Sequence, residues 1–389
     1  MTKGIVIGYD GKRAVQNMTG LGNYSRVVVG TMSAMYPDNE YVLMAPRMRE
    51  NPRLEPLLMR ENVRVVTPAT AIGRALPWWW RSVAMTSQMA ELGLDLYHGL
   101  SNEIPLSAGM APCATVVTVH DLIWRKFPQD YSAPDRRLYE WKYGRSARLA
   151  TRVIAISERT RRDMMELWGI DPDKIDVIRQ GCDPIFSRPV TYEDRERCRS
   201  RYSLPQRYIL SVGTLQWRKN QLLAVKALSA LPPDVRLVLV GGGRADYIAE
   251  IERCIAAEGL GDRVVRLQNV PFDDLPALYT LSVFASYTSR YEGFGLPLLE
   301  AASTGTPSIA CTGSCLEEAG GEGAVYVDPD DVRGYVQAAL KLLDEPSFHT
   351  RLANKGKRHA ARFTPDAFAC ETMKTYNKAI LDFSLKGLK

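Results

Sequence analysis

The 389-residue chain carries 50 Lys and Arg against 44 Asp and Glu, for a formal net charge of +6, with 46% hydrophobic residues. That length predicts two domains, each large enough to bury a core of its own. The charge permits a polyanionic ligand or a membrane surface without demanding one, no nucleic acid partner is expected, and no apolar run reaches the length of a membrane span.

Seven cysteines are scattered along the chain, and Cys311 and Cys315 flank a turn-like Thr-Gly-Ser without zinc spacing. A reduced, cytoplasmic protein is the expectation. Met1 to Ile5 lead into a strand over residues 4–9 rather than into a signal peptide. Asp10 ends that strand, residues 10–22 form a loop, and a helix is expected from Asn23. Gly20 and Gly22 open like a dinucleotide fingerprint, but Ser25 stands where its third glycine belongs, which disfavours an oxidoreductase.

Strands follow over 41–44, 63–66 and 95–98. His98, at a strand end, reads as a hydrogen-bonded structural histidine. The tryptophans at 78, 79 and 80 cannot all face one way on a helix, so some pack inside and at least one stays at the surface. The β-branched run from Ala114 ends at His120 and Asp121. In open parallel sheets ligands bind outside the carboxyl ends of the strands, which places His120 where chemistry belongs. Asp121 is expected to orient the loop or the ring.

Residues 136–162 hold nine Arg or Lys against two Glu. On a helix, Arg137, Trp141, Arg145, Arg148 and Arg152 fall near one face, suited to solvent, to anionic lipid or to a diphosphate-linked acceptor. Strands at 152–156, where Ser157 offers a helix cap, and at 174–178 close this half. Polar residues 187–207 read as a connection with its own helix.

A second alternation of strands and helices begins at Tyr208. After its first strand, Gly213 leads to adjacent Arg218 and Lys219, a pairing suited to clamping phosphate. Further strands lie at 235–240 and 263–267. The run from Val283 opens on the loop Glu292-Gly293-Phe294-Gly295-Leu296, with a helix from Pro297, a stop at Gly305 and a short buried strand over 308–311. The glycines admit close backbone approach, and the free amides of the helix start attract anions. Asp328-Pro-Asp330 reads as a turn rather than a metal ligand pair, and two helices finish the chain.

The string from Glu292 to Ala301, Glu-Gly-Phe-Gly-Leu-Pro-Leu-Leu-Glu-Ala, resembles the retaining GT-B glycosyltransferases of family 4, bacterial mannosyltransferases among them. The stretch around His120, Val-Gly-Thr-Leu with Arg218-Lys219-Asn220, and residues 314–330 are similar to further motifs of that family, in its order. Gln180 replaces its usual Asn and Thr288 its usual Pro, the latter implying a local loop difference. The resemblance implies an α/β fold of two Rossmann-like domains with parallel sheets facing across a cleft. It places an acceptor-side domain at 1–186, with helix 366–389 packing back on it, and a nucleotide-sugar domain at 187–365.

It further implies a nucleotide-diphosphate sugar as co-substrate, no cofactor, no metal and retention of configuration. Glu292 would support the donor sugar, Glu300 accept from the ribose hydroxyls, and Val270 meet the base through its backbone. Arg218, Lys219 and the amides from Gly293 to Leu296, Phe294 and Gly295 included, would hold the diphosphate. Gly22 would face the diphosphate or the acceptor, and His120 the transferred sugar. GDP-mannose is the expected donor, and a saccharide or lipid-linked saccharide for cell-surface polysaccharide the expected acceptor, with peripheral membrane contact. The alternatives are a sugar-nucleotide isomerase on the same fold, or a non-catalytic nucleotide-sugar binding protein.

Overall fold

The computed structural model describes residues 4–18 and 20–386. The opening Met1 to Lys3 and Thr19, within the expected glycine loop, lie outside the described residues. Contacts divide the chain into one unit of Met1–Arg179 with Pro365–Lys389 and a second of Gln180–Thr364. The division falls seven residues before the expected boundary after Phe186.

In the first unit seven strands form one parallel sheet: β1 (Val6–Asp10), β2 (Glu40–Met44), β3 (Val63–Val66), β4 (Leu96–Gly99), β5 (Ala114–Val119), β6 (Arg152–Ala155) and β7 (Ile175–Val177). Their order is β3-β2-β1-β4-β5-β6-β7. Every residue of β5 is buried, as a sheet covered on both faces requires. One core lies on the side of helices Gly20–Met35 and Pro365–Lys386, where Phe368, Met373 and Tyr376 meet Tyr9, Tyr24 and Val28. A second lies on the other face, around Trp80, Trp124, Val117 and Trp168.

The second unit repeats the plan with β8 (Arg207–Val212), β9 (Val235–Val240), β10 (Val264–Leu267), β11 (Phe284–Tyr287), β12 (Ser308–Cys311) and β13 (Ala324–Val327). The order is β10-β9-β8-β11-β12-β13, again parallel throughout. In each sheet the winding reverses beside the first strand, between β1 and β4 and between β8 and β11. At such a switch point the loops diverge and leave a crevice at the carboxyl ends.

The elements depart from the sequence reading in four places. The expected loop of residues 10–22 holds a short helix, Lys12–Gln16, and the next helix begins at Gly20 rather than Asn23. Gly22 therefore lies in a first helical turn, where a Cβ would stand 2.0 Å from the carbonyl oxygen of Asn17. Arg152 is not on the basic helix, which runs Ala133–Leu149; it sits on β6 and pairs with Asp176 at 2.9 Å and Asp382 at 2.8 Å. Three helices, Val332–Asp344, Pro346–Ala360 and Pro365–Lys386, follow β13 where two were expected. Of the adjacent tryptophans, Trp78 is exposed, Trp79 half-buried and Trp80 buried with its indole donating to Gln88. Among the described residues no helix is long and apolar enough to cross a membrane.

Candidate active site

In the second unit the loops leaving β8 and β11 are stitched together at the switch point. After Val212 the chain makes one 3-10 turn, Trp217–Lys219, and then Asn220 adopts φ +55°, a left-handed conformation that Asn tolerates. The carbonyl of Asn220 accepts from the Thr288 hydroxyl at 2.9 Å, and that of Arg218 accepts the Arg290 amide at 2.8 Å. Thr288, where the resemblance implies a proline, thus supplies a hydroxyl donor that a proline would lack.

The stitching brings Arg218, Lys219 and Glu292 into one cluster. One carboxylate oxygen of Glu292 lies 2.8 Å from the Arg218 guanidinium and 2.6 Å from the Lys219 ammonium. The Ser289 hydroxyl donates to the same oxygen at 2.6 Å. Burial alone would raise the Glu292 carboxyl, but Lys219 and Arg218 carry it below the usual range, so it is ionised. Lys219 also donates to the Tyr287 hydroxyl at 2.6 Å.

Beyond Glu292 the chain crosses Gly293, Phe294 and Gly295 into helix Leu296–Thr304, with Pro297 in its first turn and Gly305 at φ +82° ending it. Gly295 has φ +115°, and a Cβ there would come 2.9 Å from Leu316. The Phe294 side chain is buried against Phe363, so only its backbone faces outward chemistry. Cys315 Sγ lies 3.0 Å from the carbonyl oxygens of both Glu292 and Phe294, and the Ser314 hydroxyl accepts the Glu292 amide at 3.1 Å.

Glu300 stands one turn into that helix and accepts from the Tyr279 hydroxyl at 3.1 Å. Burial raises its pKa to about 7. Val270 lies half-buried in the loop after β10, beside Asn269 at φ +54°. Asp328 and Asp330 do form a turn: Asp328 accepts the Asp330 amide, and Asp330 pairs with Arg290.

In the first unit His120 follows β5. Its Nε2 donates to the Leu100 carbonyl at 2.9 Å, leaving Nδ1 as the acceptor nitrogen of a neutral ring. Burial lowers its pKa to about 4. Tyr24 and the His120 ring pack edge to face at a centroid distance of 4.7 Å, so helix Gly20–Met35 and the histidine stretch are in contact. Asp121 accepts the Ile123 amide at 3.1 Å and so orders the loop. His98 is fully buried between Tyr376 and Thr118, the structural role expected of it.

The structure therefore groups Arg218, Lys219, Glu292 and Gly293 to Leu296, with Glu300 farther along the same helix. Ser289, Tyr287 and Ser314 around them were not anticipated. Single hydroxyl residues carry no pattern in a sequence until the loops that hold them are known to meet.

Two family models match this chain: residues 194–359 fit glycosyl transferases group 1 and residues 26–185 fit glycosyltransferase family 4. The chain belongs to this family of glycosyltransferases. The transferase is 28% identical to O-antigen chain mannosyltransferase B of Escherichia coli over 286 residues, 72% of its own length and 74% of the relative's. It is 30% identical to D-inositol 3-phosphate glycosyltransferase of Corynebacterium glutamicum over 247 residues, 60% of this chain and 59% of that relative, under two thirds of the latter's length. Among solved structures, Anabaena HepE in complex with UDP and glucose superposes with a TM-score of 0.74 at 19% identity, covering 96% of this chain and 99% of that one. The transferase thus has the GT-B fold, built here from parallel sheets of seven and six strands.

Proposed function

We propose that this enzyme transfers a hexosyl unit from a nucleotide-diphosphate sugar to a saccharide or lipid-linked saccharide acceptor, with retention of configuration and without a metal ion. The observation that carries this reading is the cluster of Arg218, Lys219 and Glu292 beside the amides of a helix start. Cleaving the bond between sugar and phosphate builds negative charge on the departing diphosphate. Two fixed cations and preorganised amides stabilise that charge as it grows. Glu292 supports the donor sugar, Glu300 accepts from the ribose hydroxyls, Val270 meets the base and Gly22 faces the diphosphate or the acceptor. His120 contacts the transferred sugar as a neutral ring. The acceptor hydroxyl attacks from the leaving-group face, and the diphosphate takes its proton. No cofactor is assigned.

GDP-mannose is the first donor to test, because the E. coli relative is a mannosyltransferase by name. UDP-glucose is the second, because HepE was solved with UDP and glucose. Attachment at the cytoplasmic face of a membrane is part of the proposal where the acceptor is lipid-linked. The deciding experiment is a thermal-shift panel of nucleotide sugars, since a true donor raises the melting temperature by mass action. Stabilising donors are then incubated with saccharide acceptors. Nucleotide release that depends on acceptor supports transfer; conversion of the sugar without acceptor points to an isomerase; binding alone leaves a non-catalytic protein.

A further inference from the structure

The switch point of the first unit carries a charged pocket that the donor chemistry does not use. At the end of β1, Asp10 binds the Arg81 guanidinium, with Nε of Arg81 at 3.2 Å from the other carboxylate oxygen. Arg81 also pairs with Glu103, which follows β4, and Glu103 pairs in turn with Lys142 on helix Ala133–Leu149. Burial would lower Arg81, but Asp10 and Glu103 hold it well above its ordinary value, and the same network brings Glu103 down to about 2 against its burial. The four groups form a connected lattice of ion pairs at the carboxyl ends of the strands.

In front of this lattice lies a pocket of about 450 Å³, lined by Lys12, Arg47, Arg49, Arg81 and Lys142 with Trp78. No carboxylate lines it. Asp10 and Glu103 offset two of the five cations from behind, and Lys12, Arg47 and Arg49 have no ion pair among the described residues. Three positive charges are thus left facing one cavity. Burial, followed by the repulsion of Arg81, depresses the Lys12 ammonium, with Glu103 and Asp10 acting the other way. Trp78 is 67% exposed, an apolar ring beside the cations.

We propose that this pocket binds a phosphoryl or diphosphoryl group carried by the acceptor, with Lys12, Arg47 and Arg49 as its ligands and the lattice of Arg81 and Lys142 as its fixed floor. The identification of the phosphate as the acceptor's rests on the transferase reading; the anion site itself rests on the pocket alone. Two or three negative charges match the uncompensated cations, and two arginines suit bidentate recognition of phosphate oxygens. The group reaches the pocket either on a soluble molecule or on a lipid, and the chemistry is the same.

The test is calorimetric titration of inorganic pyrophosphate into the full chain, the Arg47→Glu/Arg49→Glu variant and Lys219→Ala. Arg47 and Arg49 are exposed, so their reversal leaves the fold intact, which the melting curve checks. Pyrophosphate binding at least tenfold weaker in the double variant, with UDP and GDP binding unchanged, is the expected result. Binding untouched by the double reversal, or removed only by Lys219→Ala, overturns the proposal. Failure of every sample to bind UDP or GDP counts instead against the donor reading. Glycerol 3-phosphate and vesicles containing phosphatidic acid then separate the sources. A loss in the double variant confined to the first indicates a soluble acceptor, and a loss confined to the second a lipid-borne one.

Discussion

The Glu292 carboxylate lies 2.6 Å from the Lys219 ammonium and 2.8 Å from the Arg218 guanidinium, so it stands where an anionic ligand of those cations would. Removing it takes this carboxylate from the buried Arg218 and the half-buried Lys219. Breaking one side of such a pair costs about 3–5 kcal/mol. Glu292→Ala should therefore melt several degrees lower than the parent chain. Added UDP or GDP should raise the variant's melting temperature by more than it raises the parent's, because a diphosphate restores the missing charge. Equal melting temperatures, or no recovery with nucleotide, would remove Arg218 and Lys219 as a phosphate clamp.

Glu300 sets a different dependence, on pH. Burial takes its carboxyl from an ordinary 4.5 to about 7, so the folded state holds a proton that the unfolded chain releases. Its contribution to stability is full below about 4.5, falls as pH rises and is gone above about 7, a difference of roughly 3 kcal/mol. Glu300→Gln cannot titrate. Its melting temperature relative to the parent should therefore climb between pH 5 and pH 8. Nucleotide affinity of the parent should rise over the same interval, because ribose hydroxyls donate best to an ionised carboxylate. A constant gap in melting temperature across that range would refute the protonated state of Glu300.

Both glutamates were legible in the sequence because a loop, a helix start and two carboxylates occur in one contiguous string. The sheets were equally legible, since continuous β-branched runs such as Val116 to Val119 admit only buried strands. What the sequence did not disclose depends on meetings between distant segments. Ser289 bonds Glu292 only because the loops after β8 and β11 cross. Asp10, Arg81, Glu103 and Lys142 are spread over more than a hundred residues and form a lattice only at the carboxyl ends of β1 and β4. By spacing alone Arg152 falls near the basic helical face, but the strand expected over 152–156 is what forms, because the β-branched pair Val153 and Ile154 draws the chain into the sheet.

Gly22 separates a backbone role from a ligand role. A methyl group there would press on the Asn17 carbonyl at 2.0 Å, with the Arg13 carbonyl at 3.0 Å behind it. Gly22→Ala should lower stability by about 1–3 kcal/mol through overpacking. If the residue acts only in packing, donor affinity measured below the new melting temperature stays unchanged. A tenfold or greater loss of donor or acceptor affinity in a chain that melts normally would assign Gly22 to the ligand instead.

The diphosphate clamp proposed here consists of side-chain cations and amides, so its function should survive chelation. Activity with the donor identified in the panel should be unchanged by EDTA. Loss of activity that manganese or magnesium restores would rule out this form of catalysis and call for acidic ligands from elsewhere in the chain.

Helix Ala133–Leu149 turns one face outward, on which Arg137, Leu138, Trp141, Arg145 and Arg148 are all exposed. Arg152 does not belong to it. Each basic residue near an anionic lipid surface contributes about 1 kcal/mol, so the three arginines together give about 3 kcal/mol, a weak attachment alone. Trp141, 54% exposed, and Leu138, 50% exposed, add apolar contact within the same face. The combination should bind vesicles with anionic headgroups reversibly and lose them as salt is raised, because these charges are screened over about 10 Å at 0.1 M. Arg145→Glu/Arg148→Glu should weaken co-sedimentation with anionic vesicles by an order of magnitude or more and leave turnover of a soluble acceptor unchanged. Equal sedimentation with anionic and neutral vesicles, insensitive to salt and to the charge reversal, would reduce this face to an ordinary solvated helix.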